Sequence, residues 1–292
     1  MAKKTYVGVN NIARNVSKMY VGVNGVARRV KKAYVGVNGV ARECYSIMPK
    51  IVTFNQGTQA ELKAMLDAAY DGIINLADYW SVGDTKTVLL PSVSASSMGS
   101  DSQASQNIQI VILYVGGAYN LTNSYRGKTK CQIVVGLKNC LSTNGGKMYP
   151  TNDTSSGWGG SPRRDWLNNQ FKTSITSASC MGDSLFKQFD VRTKKGGTTT
   201  VLTSADWFTL PCNYEVQGEL PAWASVQESD VRLTYYLTTA NRNKANSFNS
   251  GWWLRSPRND ETTTNCNTIS SDGRLGIYNA SGMMGLSPFG VM

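Results

Sequence analysis

The sequence predicts an α+β fold preceded by a β-hairpin repeat. Three observations predict it. A 14-residue unit recurs three times near the start, and helix and strand patterns then alternate without the regular β-α-β spacing of a doubly wound sheet. The last stretch, 241–292, is rich in Asn, Ser, Thr and Gly, the chemistry of turns.

The repeat aligns as Tyr6-Val-Gly-Val-Asn10-Asn-Ile-Ala-Arg14, Tyr20-Val-Gly-Val-Asn24-Gly-Val-Ala-Arg28 and Tyr34-Val-Gly-Val-Asn38-Gly-Val-Ala-Arg42. Asn24-Gly25 and Asn38-Gly39 demand positive φ at both central residues, which specifies type I′ turns, and Asn10-Asn11 is a weaker version. So short a unit cannot bury an apolar face alone and must stack on its neighbours or on copies in other chains. Residues 1–50 hold ten Lys or Arg against one acid, so they carry +9 of the net +11 and leave +2 for 51–292. That segregation argues against a nucleic-acid partner for the body of the protein. On the repeat itself the charge either protects open strand edges or meets an acidic partner, such as nucleic acid or a phosphate-rich wall polymer.

After the repeat, Thr58-Gln-Ala-Glu61 is a capping box, and Leu62, Met65, Leu66 and Ala69 follow at helical spacing, so a helix is expected over about 59–71. Tyr79–Val82 and Thr85–Leu90 read as strands about a Gly83-Asp84 turn, and Ile108–Val115 as a buried strand. Ser161-Pro162 opens a second helix through Arg163, Trp166, Leu167 and Phe171. Phe189–Lys194 and Thr198–Thr203 flank Lys195-Gly196-Gly197 as a hairpin. The Gly-Gly pairs at 116, 145, 159 and 196 match no phosphate-binding spacing and read as turns.

Composition narrows the chemistry. The chain has 292 residues, room for one large domain or two smaller ones, with 41% apolar and 17% charged residues. It has no histidine, which removes Ser-His-Asp and Cys-His catalysis and His-ligated zinc. Six scattered cysteines form no C-x-x-C pair and are expected to be reduced. No apolar run is long enough to span a membrane and the start lacks a secretory pattern, so synthesis in the bacterial cytoplasm and no membrane contact are expected.

Ser250-Gly-Trp252-Trp253-Leu254-Arg255-Ser256-Pro257 is the most distinctive string in the chain. It resembles the W-W-L-R-S-P signature of a widespread bacterial and phage domain of unknown function. Tyr79-Trp-x-Val-Gly-Asp84, Gly157-Trp-Gly-Gly-Ser161, Arg164-x-Trp166-Leu-Asn168, Leu210-Pro211 with Glu215-Val216, and Gly285-Leu-Ser-Pro288-Phe289 follow the same family's order, so the resemblance covers about 79–292. Ser287 stands where the family usually has Arg. Domains of this kind look like C-type lectin folds, and several are variable proteins of diversity-generating retroelements, in which adenine-directed mutagenesis rewrites Asn codons. The repeat resembles N-terminal repeats of phage structural proteins.

The resemblance implies two domains: a hairpin repeat (1–50) for assembly or attachment, and a C-type-lectin-like ligand-display domain (51–292) whose variable face lies in 241–292. Eight Asn fall in that last stretch, among many Ser, Thr and Gly, a mix that antibody paratopes favour and that long solvated turns use equally. Trp252, Trp253, Leu254 and Pro257 are read as scaffold, with Arg255 held by a buried hydrogen-bond partner. The ligand-binding candidates are Asp260, Thr262, Thr263, Thr264, Asn265, Asn267, Arg274, Ile277, Tyr278, Asn279 and Ser281. Met283, Met284 and Glu261 cannot arise from an Asn codon by changing its adenines alone. Asp260, Glu261 and Asp272 are the only carboxylate side chains beyond 240, too few for a multi-carboxylate calcium cage.

The function expected is a virion (tail or receptor-binding) or bacterial-surface protein. It needs no cofactor, binds a host-surface glycan or protein, and sits among other virion proteins as a homo-oligomer, for example a trimer, held by the repeats. Two alternatives stand beside it: an architectural tail or decoration protein without a specific ligand, and an enzyme resembling formylglycine-generating enzymes, for which Cys212 and Cys266 are the one pair to consider.

Overall fold

A computed structural model describes residues 6–9, 12–15, 19–37, 39–99, 101–220, 226–244, 251–258 and 263–292. The three repeat copies each form a two-stranded antiparallel hairpin: β1 (Tyr6–Val9) with β2 (Ile12–Asn15), β3 (Tyr20–Val23) with β4 (Val26–Arg29), and β5 (Lys32–Val37) with β6 (Val40–Ser46). Asn24 and Gly25 take φ of 51° and 75°, and Val23 pairs with Val26 around them, the register of a two-residue type I′ turn. Gly39 repeats this at φ 76°. Cross-strand pairs share a face, so Val21, Val23 and Val26 lie together on one side of the second hairpin, and Val35, Val37 and Val40 on one side of the third. All six, with Tyr20 and Tyr34, are exposed.

Helix α1 (Gln59–Tyr70) starts at the expected capping box: Thr58 Oγ1 accepts from Glu61 N (3.3 Å) and the Glu61 carboxylate accepts from Thr58 N (3.0 Å). Leu62, Met65, Leu66 and Ala69 are buried, as their spacing predicts. The segment Tyr79–Val82, expected as a strand, is irregular chain that follows a 3-10 turn (Leu76–Asp78) capped by Asn75. The indole of Trp80 explains the difference: it is buried and donates to Val52 O (2.9 Å), which draws the chain inward instead of along a sheet. Only the second strand forms, β7 (Thr85–Leu90), after a turn with Gly83 at φ 95°.

Strands β8 (Gln106–Val115), β9 (Asn120–Tyr125), β10 (Lys128–Lys130) and β11 (Ile133–Leu137) follow. Helix α2 (Pro162–Trp166) has Ser161 as its cap, accepting from Arg163 N (3.1 Å), and runs through a π turn (Leu167–Phe171) into α3 (Lys172–Ile175). Asn168 pins that stretch: its amide nitrogen donates to Arg164 O and Phe208 O (both 3.0 Å), and its oxygen accepts from Trp207 N (2.6 Å). Strand β12 (Phe189–Lys194) has the expected bounds, whereas its partner β13 (Val201–Asp206) begins three residues later than the sequence suggested. Thr198–Thr200 are spent in the loop, where Lys195 N donates to Thr200 O (3.1 Å) and Gly196 N to Thr154 O (3.0 Å).

Helix α4 (Asn213–Gln217), a 3-10 turn (Thr234–Leu237), α5 (Thr239–Arg242), β14 (Trp252–Pro257), β15 (Asn265–Ile269), β16 (Leu275–Asn279) and β17 (Phe289–Val291) complete the chain. The body carries three sheets, ordered β17-β11-β8-β7, β10-β9-β12-β13 and β14-β15-β16, with every strand pair antiparallel. This is the α+β class the sequence predicts. Every residue of β11 and β17 is buried, as expected of strands covered on both faces, while edge strand β7 alternates. One continuous core joins α1, these strands and the aromatic residues of the C-terminal sheet. Among the described residues no helix is long and apolar enough to cross a membrane.

Candidate functional site

Strand β14 holds the distinctive Trp-Trp-Leu-Arg-Ser-Pro string, and all six residues are buried. Each polar group on it has an assigned partner. Trp252 Nε1 donates to Arg242 O (2.9 Å) and Trp253 Nε1 to Gly146 O (2.6 Å). Arg255 makes a bidentate pair with Glu215 (2.7 and 2.8 Å) and donates to Leu210 O (2.7 Å) and Arg192 O (3.2 Å). Ser256 donates to Glu228, which also accepts from Thr193 Oγ1 and Lys194 N (both 2.8 Å). The buried partner expected for Arg255 is thus Glu215. Burial works against the Glu215 carboxylate, yet the Arg255 guanidinium outweighs it and holds the group below the usual carboxylate range.

Gly251, just before the string, sits at φ 87°, and a Cβ there would stand 2.1 Å from Ile269 O, so only glycine lets β14 approach β15. The same logic of staples extends outward. Trp158 Nε1 and Arg164 Nε both reach the Asp206 carboxylate (2.6 Å each), and buried Arg163 pairs with Asp101 (2.6 Å). Ser287, where the resembled motif has Arg, is buried and donates to Leu137 O (3.3 Å). Buried Lys244 donates to that same carbonyl and lies 5.2 Å from the Tyr236 ring centre and 5.5 Å from that of Trp252.

This scaffold carries the β15–β16 hairpin, and the hairpin sorts the candidate residues by strand period. Asn265, Asn267, Ile277 and Asn279 share one face, and Cys266 and Tyr278 share the other. Asn267 corrects the expectation: it is fully buried and donates to Pro257 O (3.1 Å), so it supports the loop rather than presenting itself. Arg274 sits at the far end of the hairpin, beside Asp272 (3.5 Å), five residues and about 17 Å along the strand from Asn279. Ile277 is half-buried between them. Asp260 and Thr262 lie outside the described residues.

What does come together is the other end of the hairpin. Ala280 N donates to Thr264 O (3.1 Å), and Ser281 donates through its N and Oγ to Asn152 Oδ1 (3.0 and 2.6 Å). Thr154 N donates to Thr263 O (2.7 Å). Thr263, Thr264, Asn265, Asn279 and Ser281 therefore cluster with the 152–154 loop, which the sequence reading missed because it lies more than a hundred residues away and has no motif. Thr264 and Asn279 are exposed, and so is Tyr278, with 46% of its surface open. Its ring leans on Trp253 (centroids 6.1 Å apart) and lies over Gly282, where a Cβ would meet it at 2.1 Å. The result is a propped aromatic ring beside adaptable polar groups. Met284 is buried and bridges Gly146, a fixed structural position, while Met283 is half-buried.

The matching family model covers residues 134–288, slightly more than half of the chain, and describes a domain of unknown function, DUF6273. The chain belongs to the DUF6273 family. The Tyr79–Asp84 segment lies before the matched stretch, and Trp158, Arg164, Glu215 and the β14 string lie within it. Neither the curated proteins nor the solved structures contain a match. The other chemistry considered for the chain rests on thiols. Cys131, Cys140, Cys180, Cys212 and Cys266 are buried and unpaired, and burial pushes every one of them up, Cys131 to about 11 and Cys140 and Cys180 to about 12. Thiols held protonated in this way are poor nucleophiles. No group of three metal-ligating side chains occurs among the described residues.

Proposed function

We propose that this protein is a ligand-recognition component of a phage particle or a bacterial surface, in which the N-terminal repeats hold copies together and the open end of the β15–β16 hairpin touches the ligand. The observation that carries the reading is the division of labour in the C-terminal sheet. Strand β14 is buried throughout, while Thr264, Tyr278 and Asn279 stand exposed on a hairpin clamped beside it. Binding sites on rigid elements with an aromatic anchor and small polar neighbours suit recognition of a glycan or protein on a host surface. The resemblance to C-type-lectin-like variable proteins supports the same assignment, including change confined to Asn-type codons around this hairpin end. The bare valine faces of the repeats support oligomerisation, which would multiply weak contacts.

The architectural alternative keeps the repeats and discards the ligand. Sequencing the locus in several isolates separates the two: recognition predicts excess change at exposed positions such as 264, 278 and 279 with β14 unchanged, and architecture predicts uniform drift. The enzyme alternative needs an accessible thiolate, which the burial of Cys212 and Cys266 disfavours. Replacing both by Ala and finding any catalytic activity of the purified protein abolished would revive it.

A further inference from the structure

Strand β16 lies at the edge of its sheet. Ser270 N donates to Arg274 O (2.8 Å) at the hairpin turn and Ala280 N to Thr264 O (3.1 Å) at the other end, so the alternation of an antiparallel ladder turns the backbone of Gly276 and Tyr278 toward β15. Leu275, Ile277 and Asn279 therefore aim their N–H and C=O groups away from it. Asn279 O accepts from Gly282 N (2.8 Å), and the rest of these outward groups have no partner among the described residues.

Folded proteins guard such edges, because an open ladder pairs with any extended chain. The other edge strands of the body are guarded or covered. Strand β10 has Lys128, Lys130 and a register shift between them, β7 has Lys86, and on β13 the Ala205 carbonyl is capped by Arg164 Nη2 (3.1 Å) and Gln188 Nε2 (3.2 Å). Outside β17 and β14, Lys187 N donates to Val291 O and Trp253 N to Gly285 O (both 3.0 Å). Strand β16, Leu-Gly-Ile-Tyr-Asn, has no charge, no proline and no bulge in its register. What completes such an edge is set by its period. Its outward groups recur every second residue, about 7 Å apart, and an extended polypeptide carries matching N–H and C=O groups at that spacing. The hydroxyls of a glycan have no such period. The same strand ends in Tyr278 and Asn279, so a chain laid along it runs into the exposed hairpin end. Half-buried Leu275 and Ile277 favour apolar neighbours on one face, and the Tyr278 ring does so on the other.

We propose that β16 takes its ligand as an added strand: an uncharged, extended segment of a host-surface protein, with β-branched or aromatic side chains at alternate positions. This partner rests on the hairpin end being the ligand site and narrows that site from glycan or protein to protein. Capture of the fluorescently labelled full chain by bacterial cells tests it. Capture is expected to vanish when the cells are treated with proteinase K and to survive oxidation of their glycans by metaperiodate. Ile277→Pro removes one outward N–H without touching the bonds to β15. It should keep a thermal midpoint close to the parent's and weaken capture about tenfold, the worth of one hydrogen bond. Ile277→Ala keeps that N–H and should be captured nearly as well as the parent. Amide hydrogen exchange of the free full chain needs no variant: Leu275 and Ile277 should exchange fast, and Gly276 and Tyr278 slowly. Capture that survives proteinase K, capture lost to metaperiodate, parent-like capture of folded Ile277→Pro, or slow exchange at Leu275 and Ile277, as pairing with a second copy would give, each overturns strand addition. Tyr278→Ala separates the two readings. If it loses capture while one of those contrary results holds, the hairpin end is still the ligand site. If its capture is undiminished, or no strain captures the parent, both readings fall.

Discussion

Arg255 shows how a single side chain can be conspicuous in sequence for a structural reason. It and Glu215 are about 1% and 0% exposed, and together they tie β14 to the start of α4. Breaking such a pair from one side leaves a buried charge without its counterion, so Arg255→Ala should cost about 3–5 kcal/mol in denaturant melts. The double change Arg255→Met with Glu215→Leu should recover much of that loss, since both charges are then gone. Glu215 also gives a pH dependence. Its folded-state pKa lies below the unfolded value of 4.5, so its contribution is complete above pH 4.5 and fades as pH falls through the folded value. Tyr278 offers the opposite kind of test. Gly282→Ala puts a methyl where the ring now rests and should swing Tyr278 away, weakening ligand capture several-fold while the melting curve stays nearly unchanged.

At the scale of elements, what could be read in advance was whatever local chemistry dictates. The capping box set α1 to within a residue, Asn24-Gly25 set the hairpin register, and the Ser161-Pro162 start set α2. Strands β11 and β17 escaped because their pairing is non-local: Val134 faces Val291 across the sheet, and a three-residue Phe-Gly-Val has no period to detect. The candidate site was half legible. A run of Asn and Thr reads as a surface along the chain, but burial changes along one face of the hairpin: Asn267 is covered where it donates to Pro257 O, Asn279 on the same face is exposed, and Arg274 lies at the far turn. Gly251 carries no signal of its own in the sequence, and its necessity appears once Ile269 O is seen against it. Gly251→Ala combines a disfavoured φ with a backbone clash and should destabilise by about 3 kcal/mol, measured by chemical denaturation. A loss under 1 kcal/mol would mean that β14 can shift away from β15.

Across the whole molecule, charge and burial are divided between the two ends of the sequence. The repeat holds nearly all of the excess positive charge and bare valines, and the body holds the aromatic core. The buried thiols give that core a signature at high pH. Their folded pKa values are raised, so the stability they contribute is complete below the unfolded value near 9 and is lost as pH rises toward 11 or 12. Lys244 runs the other way: burial pushes it down to about 7, so between that value and the unfolded 10.5 the unfolded state holds the extra proton and stability rises with pH. Five thiols outweigh one lysine above pH 9, so the urea midpoint should fall between pH 9 and 11, and a thiol reagent should label none of the five in the native state. Assembly is tested on the full chain: Val23→Lys with Val37→Lys adds charge to two exposed valine faces and should shift the sedimentation coefficient from oligomer to monomer.

In the proposed function, the end of the β15–β16 hairpin is where this protein meets its ligand. The most direct measurement is capture of the fluorescently labelled full chain by bacterial cells, compared with the Tyr278→Ala/Asn279→Ala variant at equal thermal midpoint. The parent should bind a subset of strains, and the variant should lose most of that binding. Undiminished binding by the variant would contradict it.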